Sequence, residues 1–287
     1  MSQRFENVIN FRDVGKTVNE FLGERRLREG IFFRSARLDE ASPNDKEKLV
    51  GDFQLKTVID LRTKSEHALQ AKKLQALPAA AHIRSNSAVA RPFHMPGLAY
   101  HEIKITGGAF ERFLLSQLSW WGFFNFMFLF IFGYRAEAIG IIAREVMLPR
   151  GLKALGPITL DHSGPLICET LSLYTDPAQL PSVVHCTQGK DRTGLICILL
   201  LMILDVPKPA IEHDYFLTDQ ALECQREKRE KEMAAIGLPP DWALTTKEMI
   251  DFVETHLDTK YGGLNSYLDS IGFGKDERMK VQDTLLY

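Results

Sequence analysis

Apolar residues along this chain fall into short runs of strand length and longer stretches with helical spacing. Ser182–His185 and residues 57–61 are β-branched runs of the length that forms buried strands. Residues 25–27 and 31–34 alternate, and Arg28-Glu29-Gly30 between them predicts a hairpin turn. Residues 193–204 are apolar nearly all round, as in a core helix. Ser42 before Pro43 marks one helix start, and Thr63 with Glu66 marks another as a capping box. Amphipathic helices are expected over 134–147, 165–174, 207–219, 221–236, 246–257, 264–271 and 276–286. Pro149, Gly151, Gly156 and Pro157 punctuate an expected loop, 78–96 reads as loop, and 82–84 and 100–105 carry scattered strand character. A few buried strands among many helices predict an α/β fold with a small central sheet flanked by helices. The 287 residues are expected to form a single domain.

Residues 113–132, FLLSQLSWWGFFNFMFLFIF, break this pattern. Twenty residues match the thickness of a bilayer's hydrocarbon core. A span is nonetheless not the expectation, because one crossing would put two halves of one site in different compartments. Gly122 and the doubled Trp120-Trp121 predict a break into two shorter helices, within a helical apolar insertion at about 108–150. Such a hairpin must be buried, fold over the site as a lid, or dock on a membrane surface.

Charge and cysteine usage narrow the class. A net charge of −2 and a pI near 6.5 argue against nucleic acid as a partner. Four cysteines without paired spacing suggest a reducing compartment, and the first residues carry no apolar signal segment, so a cytoplasmic location is expected, with peripheral membrane contact through 113–132. The run CQREKREKEM reads as solvated helix surface.

The chemistry concentrates at residues 185–194, HCTQGKDRTG. A strand feeding a tight loop that opens onto a helix is an anion site, since unpaired amides and the helix dipole both favour negative charge. Cys186 and Arg192 bracket five residues, a spacing that lets the amides of 187–192 converge on one phosphoryl group while Arg192 grips two of its oxygens. Gly189 permits the curl. Amides, dipole and guanidinium should all lower the Cys186 thiol below the roughly 8.5 of free cysteine, with Thr193 donating to the sulfur. Attack on phosphorus would form a phosphocysteine, and no metal or other cofactor is called for. Thr187, Gln188, Gly189, Lys190 and Thr193 would line the substrate, with Lys190 as a second cation beside the phosphate and His185 orienting the loop. Asp60 and Arg62, just past a strand end, are expected to orient the loop or each other. Arg12, Arg34 and Arg37, taken alone, read as a solvated basic edge.

HCTQGKDRTG, with NFRDVG at 10–15, FFRSARL at 32–38 and TVIDLRTKSE at 57–66, resembles the cysteine-dependent protein tyrosine and dual-specificity phosphatases, and specifically an HCxxGKDRTG subgroup of secreted bacterial and fungal proteins. The resemblance implies that family's fold, a Cys186 nucleophile, an Arg192 clamp, and substrates that are phosphotyrosine, phosphoserine or phosphothreonine proteins, or phosphoinositides. It implies Asp191 as the general acid, with Asp161, 25 residues before Cys186, as the alternative on an upstream loop. Two other classes stay open: an idle phosphate-binding scaffold, and another thiol enzyme of sulfurtransferase or arsenate reductase type.

Overall fold

The computed structural model describes residues 5–75 and 94–287. Five strands, β1 (Arg12–Asp13), β2 (Phe32–Ser35), β3 (Thr57–Asp60), β4 (Ala99–Glu102) and β5 (Ser182–His185), form one sheet in the order β1-β2-β5-β3-β4. β2, β5, β3 and β4 are parallel, and β1 adds antiparallel at the edge. The three central strands are buried along their whole length, which is why FFRS, TVID and SVVH need apolar groups on both faces. Phe33, Val183 and Val58 lie in register and pack with Leu38, Leu49 and Leu55. Phe32, Val184 and Ile59 face the other way, against α10 (Asp191–Ile203), whose residues 195–201 are all buried. Parallel register sets Ser35, His185 and Asp60 side by side at the carboxyl edge, the position where open α/β sheets build their sites.

Helices cover both faces: α1 (Val14–Leu22), α2 (Pro43–Glu47), α3 (Lys64–Gln75), α4 (Gly108–Ser116), α5 (Trp120–Ile131), α6 (Arg135–Ile142), α7 (Leu148–Arg150), α8 (Leu155–His162), α9 (Gly164–Ser172), α11 (Lys208–Ala221), α12 (Arg226–Ala235), α13 (Met249–His256), α14 (Leu264–Ser270) and α15 (Lys275–Leu285). The α/β fold expected from the strand and helix pattern is present. Ser42 caps α2 with Asp45 in a reciprocal box.

Three local expectations fail. No hairpin joins 25–27 to β2. Leu27 instead bridges to Leu286, with Asn19 tying both Leu27 backbone groups, so the C-terminus supplies the partner that a local turn does not. Gly156 and Pro157 do not sit in a loop but in the first turn of α8, where proline's missing N–H costs nothing. The apolar stretch does form helices, but the break falls at 117–119 rather than at Gly122. Ser119 accepts from the Gly122 amide and so starts α5, and Gly122 lies inside the helix because the Glu145 carboxylate fills the space a Cβ would need. The strand character noted at 82–84 lies outside the described residues.

The hairpin of α5 and α6 is also not buried. Phe126, Ala138 and Ile141 make a small core of its own, with Leu118 and Leu129 packed against it. Trp120 and Trp121 are 82% and 87% exposed, and Phe124, Phe128, Ile131 and Phe132 are exposed with them. Among the described residues no helix is long and apolar enough to cross a membrane.

Candidate active site

Cys186 follows β5 directly, and 187–190 curl before α10 begins at Asp191. What fixes the curl is the disposal of its carbonyls. Thr187 O accepts from the Arg37 amide, Gln188 O from Asn10, and Gly189 O from both Asn10 and Arg34 Nη2. Lys190 O accepts from Gly194 within α10. With the carbonyls of 187–190 taken up in this way, the amides of 187–192 donate to no backbone carbonyl among the described residues and remain free for an anion. Gly189 is obligatory here: its φ is +68°, and a Cβ would lie 2.2 Å from Ser35 O.

Arg192 lies across the mouth of this ring. Glu66 takes its two terminal nitrogens at 2.7 and 2.6 Å, and Leu61 O takes Nη1 at 3.3 Å. Nη2 spends one N–H on Glu66, and its second N–H and Nε have no acceptor among the described residues, which leaves two donors for a ligand. Thr187 Oγ1 donates to the same Glu66 carboxylate, which also closes the capping box at Thr63. Burial would raise the Glu66 carboxyl, but Arg192 and Thr187 pull it down to about 2, so it is a carboxylate throughout the neutral range.

Beneath the loop, charges are paired with little water. Arg12 and Arg34 both bind Asp214 of α11, Arg12 through Nε at 2.7 Å, and all three are shielded. The expected solvated basic edge is thus wrong: Arg34 is fully buried, and Arg12 and Arg37, both only partly shielded, are each paired, Arg37 with Glu40. Burial opposes the Asp214 charge, but the two guanidiniums hold its carboxyl below the usual range. Asp60 and Arg62 do bind each other, at 2.6 Å, and Arg62 also takes Asp39. His185 stands 3.6 Å from Asp60, with its Nδ1 at 3.2 Å from Cys186 O. Burial keeps the imidazole below its ordinary value despite Asp60, so His185 is neutral at pH 7 and is a brace for the loop.

Comparison with known proteins adds to this geometry. Residues 3–118 and 150–287 match the tyrosine phosphatase family. The chain belongs to that family. A tyrosine-protein phosphatase of Nostoc commune is 32% identical over 132 residues, 43% of this chain and 45% of that protein, so the chain spans less than half the length of that relative. A protein of Cupriavidus necator, whose name assigns it only provisionally to the tyrosine-protein phosphatases, is 23% identical over 284 residues, 92% of this chain and 81% of its own length. The family match skips 119–149, the segment that holds α5 and α6.

Within this tyrosine phosphatase family member the remaining expected residues divide. Lys190 is turned away from its expected place: its ammonium is buried and donates at 2.8 Å to the carbonyls of Trp242 and Leu244, tying the loop to that strap. Thr193 Oγ1 is buried without a partner, so the expected bond to the Cys186 sulfur is not made. Asp161 lies in α8, not on a movable loop, and Lys260, His256 and Tyr261 hold it at 2.7–2.8 Å. Asp191 occupies the first turn of α10 with a partly exposed carboxylate 3.5 Å from Lys190. Gln188 contributes its carbonyl to the Asn10 bond. The sequence marks Glu66 only as a cap and Asn10 only as the first residue of the motif at 10–15, and it gives Asp214 no role. The signal for Asp214 lay in the arginines themselves, since a guanidinium on a buried strand requires a buried carboxylate.

Proposed function

We propose that this protein hydrolyses phosphomonoesters through a phosphocysteine on Cys186, acting on phosphotyrosine in protein substrates, as a member of the HCxxGKDRTG subgroup. The observation that carries this is the loop after Cys186, whose carbonyls are tied to Asn10, Arg34 and Arg37 while its amides donate to no backbone carbonyl among the described residues, with Arg192 held by Glu66 beside it. That array matches three equatorial oxygens of a phosphoryl group in transfer better than it matches a bound ester, which is what acceleration requires. Sγ attacks phosphorus as the P–O bond to the leaving oxygen breaks, and Asp191 supplies the proton that oxygen takes. Water then attacks phosphorus, the S–P bond breaks, and inorganic phosphate leaves. The phosphoinositide reading loses its main support, because Lys190 is committed to carbonyls of the strap.

Turnover of p-nitrophenyl phosphate tests this, with thiosulfate and arsenate as controls for the other thiol chemistries. Wild-type protein should hydrolyse the ester, Cys186→Ser should not, and Arg192→Lys should be almost as inactive because an ammonium cannot reproduce the fork. Binding of inorganic phosphate by wild type without turnover would mean a scaffold.

A second reading concerns α5. Its exposed Trp120 and Trp121 at one end, with Phe124, Phe128 and Ile131 also exposed, leave a large uncharged aromatic surface open to solvent. We assign it peripheral contact with lipid.

A further inference from the structure

The arginines of the site are each offset by a bonded carboxylate. Arg192 has Glu66, Arg62 has Asp60 and Asp39, Arg37 has Glu40, and Arg12 and Arg34 share Asp214. Lys190 is not treated this way. Its side chain is buried, and two of its three N–H groups go to neutral acceptors, the carbonyls of Trp242 and Leu244. An ammonium desolvated against neutral groups is costly, and an uncharged side chain of the same length would fill the space without that cost. What the charge does have is a neighbour: Asp191 Oδ1 stands 3.5 Å from the ammonium, and Asp191 accepts no hydrogen bond among the described residues.

The two carbonyls belong to a strap, residues 239–246, that is fixed to the same scaffold as the loop. Pro240–Ala243 form one tight turn, and the carbonyls of Trp242 within it and Leu244 just after it meet the Lys190 ammonium. Thr245 then donates through its amide and its hydroxyl to Asp219 of α11. Five residues earlier on that helix, Asp214 binds Arg34, which in turn holds Gly189 O. Loop and strap are thus set on one helix, and Lys190 closes the triangle between them. Trp242 is steadied on its other side by Ala143 and Leu238. The frame ends at the ammonium, one residue from a carboxylate that is 38% exposed.

A general acid works only when the oxygen that carries the proton faces the leaving group. With Oδ1 drawn to a cation, Oδ2 is the oxygen left to carry it. We propose that Lys190 is a positioning residue: held by the strap, its ammonium fixes Oδ1 of Asp191 so that Oδ2 delivers the proton to the leaving oxygen. The proton passes as the P–O bond breaks, and the carboxylate left behind remains beside the ammonium. This rests on the phosphatase reading above, with Asp191 as its acid, and adds what aims that acid. Lys190 then acts on the leaving group and not on the phosphate.

The test uses the whole chain and two esters: phenyl phosphate, whose leaving oxygen needs a proton, and 2,4-dinitrophenyl phosphate, whose leaving oxygen does not. Lys190→Met should lower kcat/KM about thirtyfold for phenyl phosphate and less than about threefold for the dinitrophenyl ester. Inhibition by inorganic phosphate should change less than about twofold, since the loop amides and Arg192 stay in place. In an Asp191→Asn background the same substitution should add less than about twofold on either ester, because the two residues act as one unit. Equal losses on both esters, weakened phosphate inhibition, or an undiminished effect without the Asp191 carboxyl would make Lys190 a plain tether or a phosphate ligand and overturn the proposal. Thr245→Val loosens the strap without touching the loop and should show the same selectivity at about threefold. If Lys190→Met does not fold, Thr245→Val decides, and equal losses on both esters there overturn the proposal. Wild type that hydrolyses neither ester sinks the phosphatase reading itself. Wild type that hydrolyses both, with Asp191→Asn unselective between them, leaves the phosphocysteine chemistry standing and overturns only this assignment.

Discussion

The loop at 186–192 and the hairpin of α5 and α6 solve opposite problems. The loop is polar and sits deep in the fold, and its carbonyls and the charges around it are bonded to partners far away in sequence: Asn10 and Arg34 to Gly189, Asp214 to Arg12 and Arg34, Glu66 to Arg192. The hairpin is apolar and sits at the surface, held by local contacts within 115–150, such as Glu145 on Ser119 and Arg150 on Gln117. One region depends on long-range partners and cannot be altered piecemeal, and the other is nearly self-contained. Their place in the family agrees: the match includes the loop and omits 119–149. One bridge connects them, since Ala143 packs with Leu238 and Trp242, and Trp242 receives Lys190.

That contrast predicts unequal consequences of substitution. Asp214→Ala should be the most damaging, because it strands two buried guanidiniums, one of which holds Gly189 O. A loss of about 3–5 kcal/mol in urea or thermal unfolding is expected, with activity lost as well. A change under about 1 kcal/mol would show that Arg12 and Arg34 find other partners, and that the loop does not rest on this network.

Glu66→Gln should act on function more than on stability. The amide keeps one acceptor but loses the charge that holds Arg192, so kcat/KM for an aryl phosphate should fall by about tenfold. The sign with pH follows from the carboxyl lying near 2 in the folded protein, against roughly 4.3 when unfolded. Its stabilisation is complete above the unfolded value and is lost as pH falls through about 2. The stability gap between wild type and Glu66→Gln should therefore be constant near neutrality and shrink between about pH 4 and 2. A gap that widened over that interval would mean the pair is not formed.

Much of this asymmetry was legible in the sequence and some was not. Strands at 57–61 and Ser182–His185 and the all-apolar helix of 193–204 could be read because burial on two faces leaves an unbroken apolar run. The bracket of Cys186 and Arg192 could be read because the spacing itself carries the chemistry. The partners that hold the loop could not, since Asn10 and Asp214 lie 179 and about 25 residues from Gly189, and the motif at 10–15 marks Asn10 without showing what it bonds. Lys190 illustrates the limit: its place in the loop suggested a ligand for phosphate, whereas its direction depends on Trp242 and Leu244, 52 and 54 residues on. The hairpin could be read only in part, since burial was one of the outcomes its apolar content allowed. Its apolar content predicted burial or lipid, and the fold leaves its aromatic face exposed.

The smallest effect is expected there. Trp120→Glu with Trp121→Glu should leave stability within about 0.5 kcal/mol, because both rings are exposed. The same pair should abolish sedimentation with neutral liposomes, and anionic lipid should restore little of it since the chain is not basic. If wild-type protein remains in the supernatant, the lipid contact is wrong and the face serves another partner; if the double variant unfolds, the tryptophans are core.

The central claim is that the cradle exists to hold a phosphoryl group on Cys186. Acid quench of the enzyme during turnover of an aryl phosphate, followed by proteolysis and mass spectrometry, should find one phosphoryl group on the peptide carrying Cys186 and none in Cys186→Ser. Full wild-type turnover with a phosphoryl group on any other residue would contradict the mechanism, as would inversion at a chiral phosphorus, the mark of a single displacement.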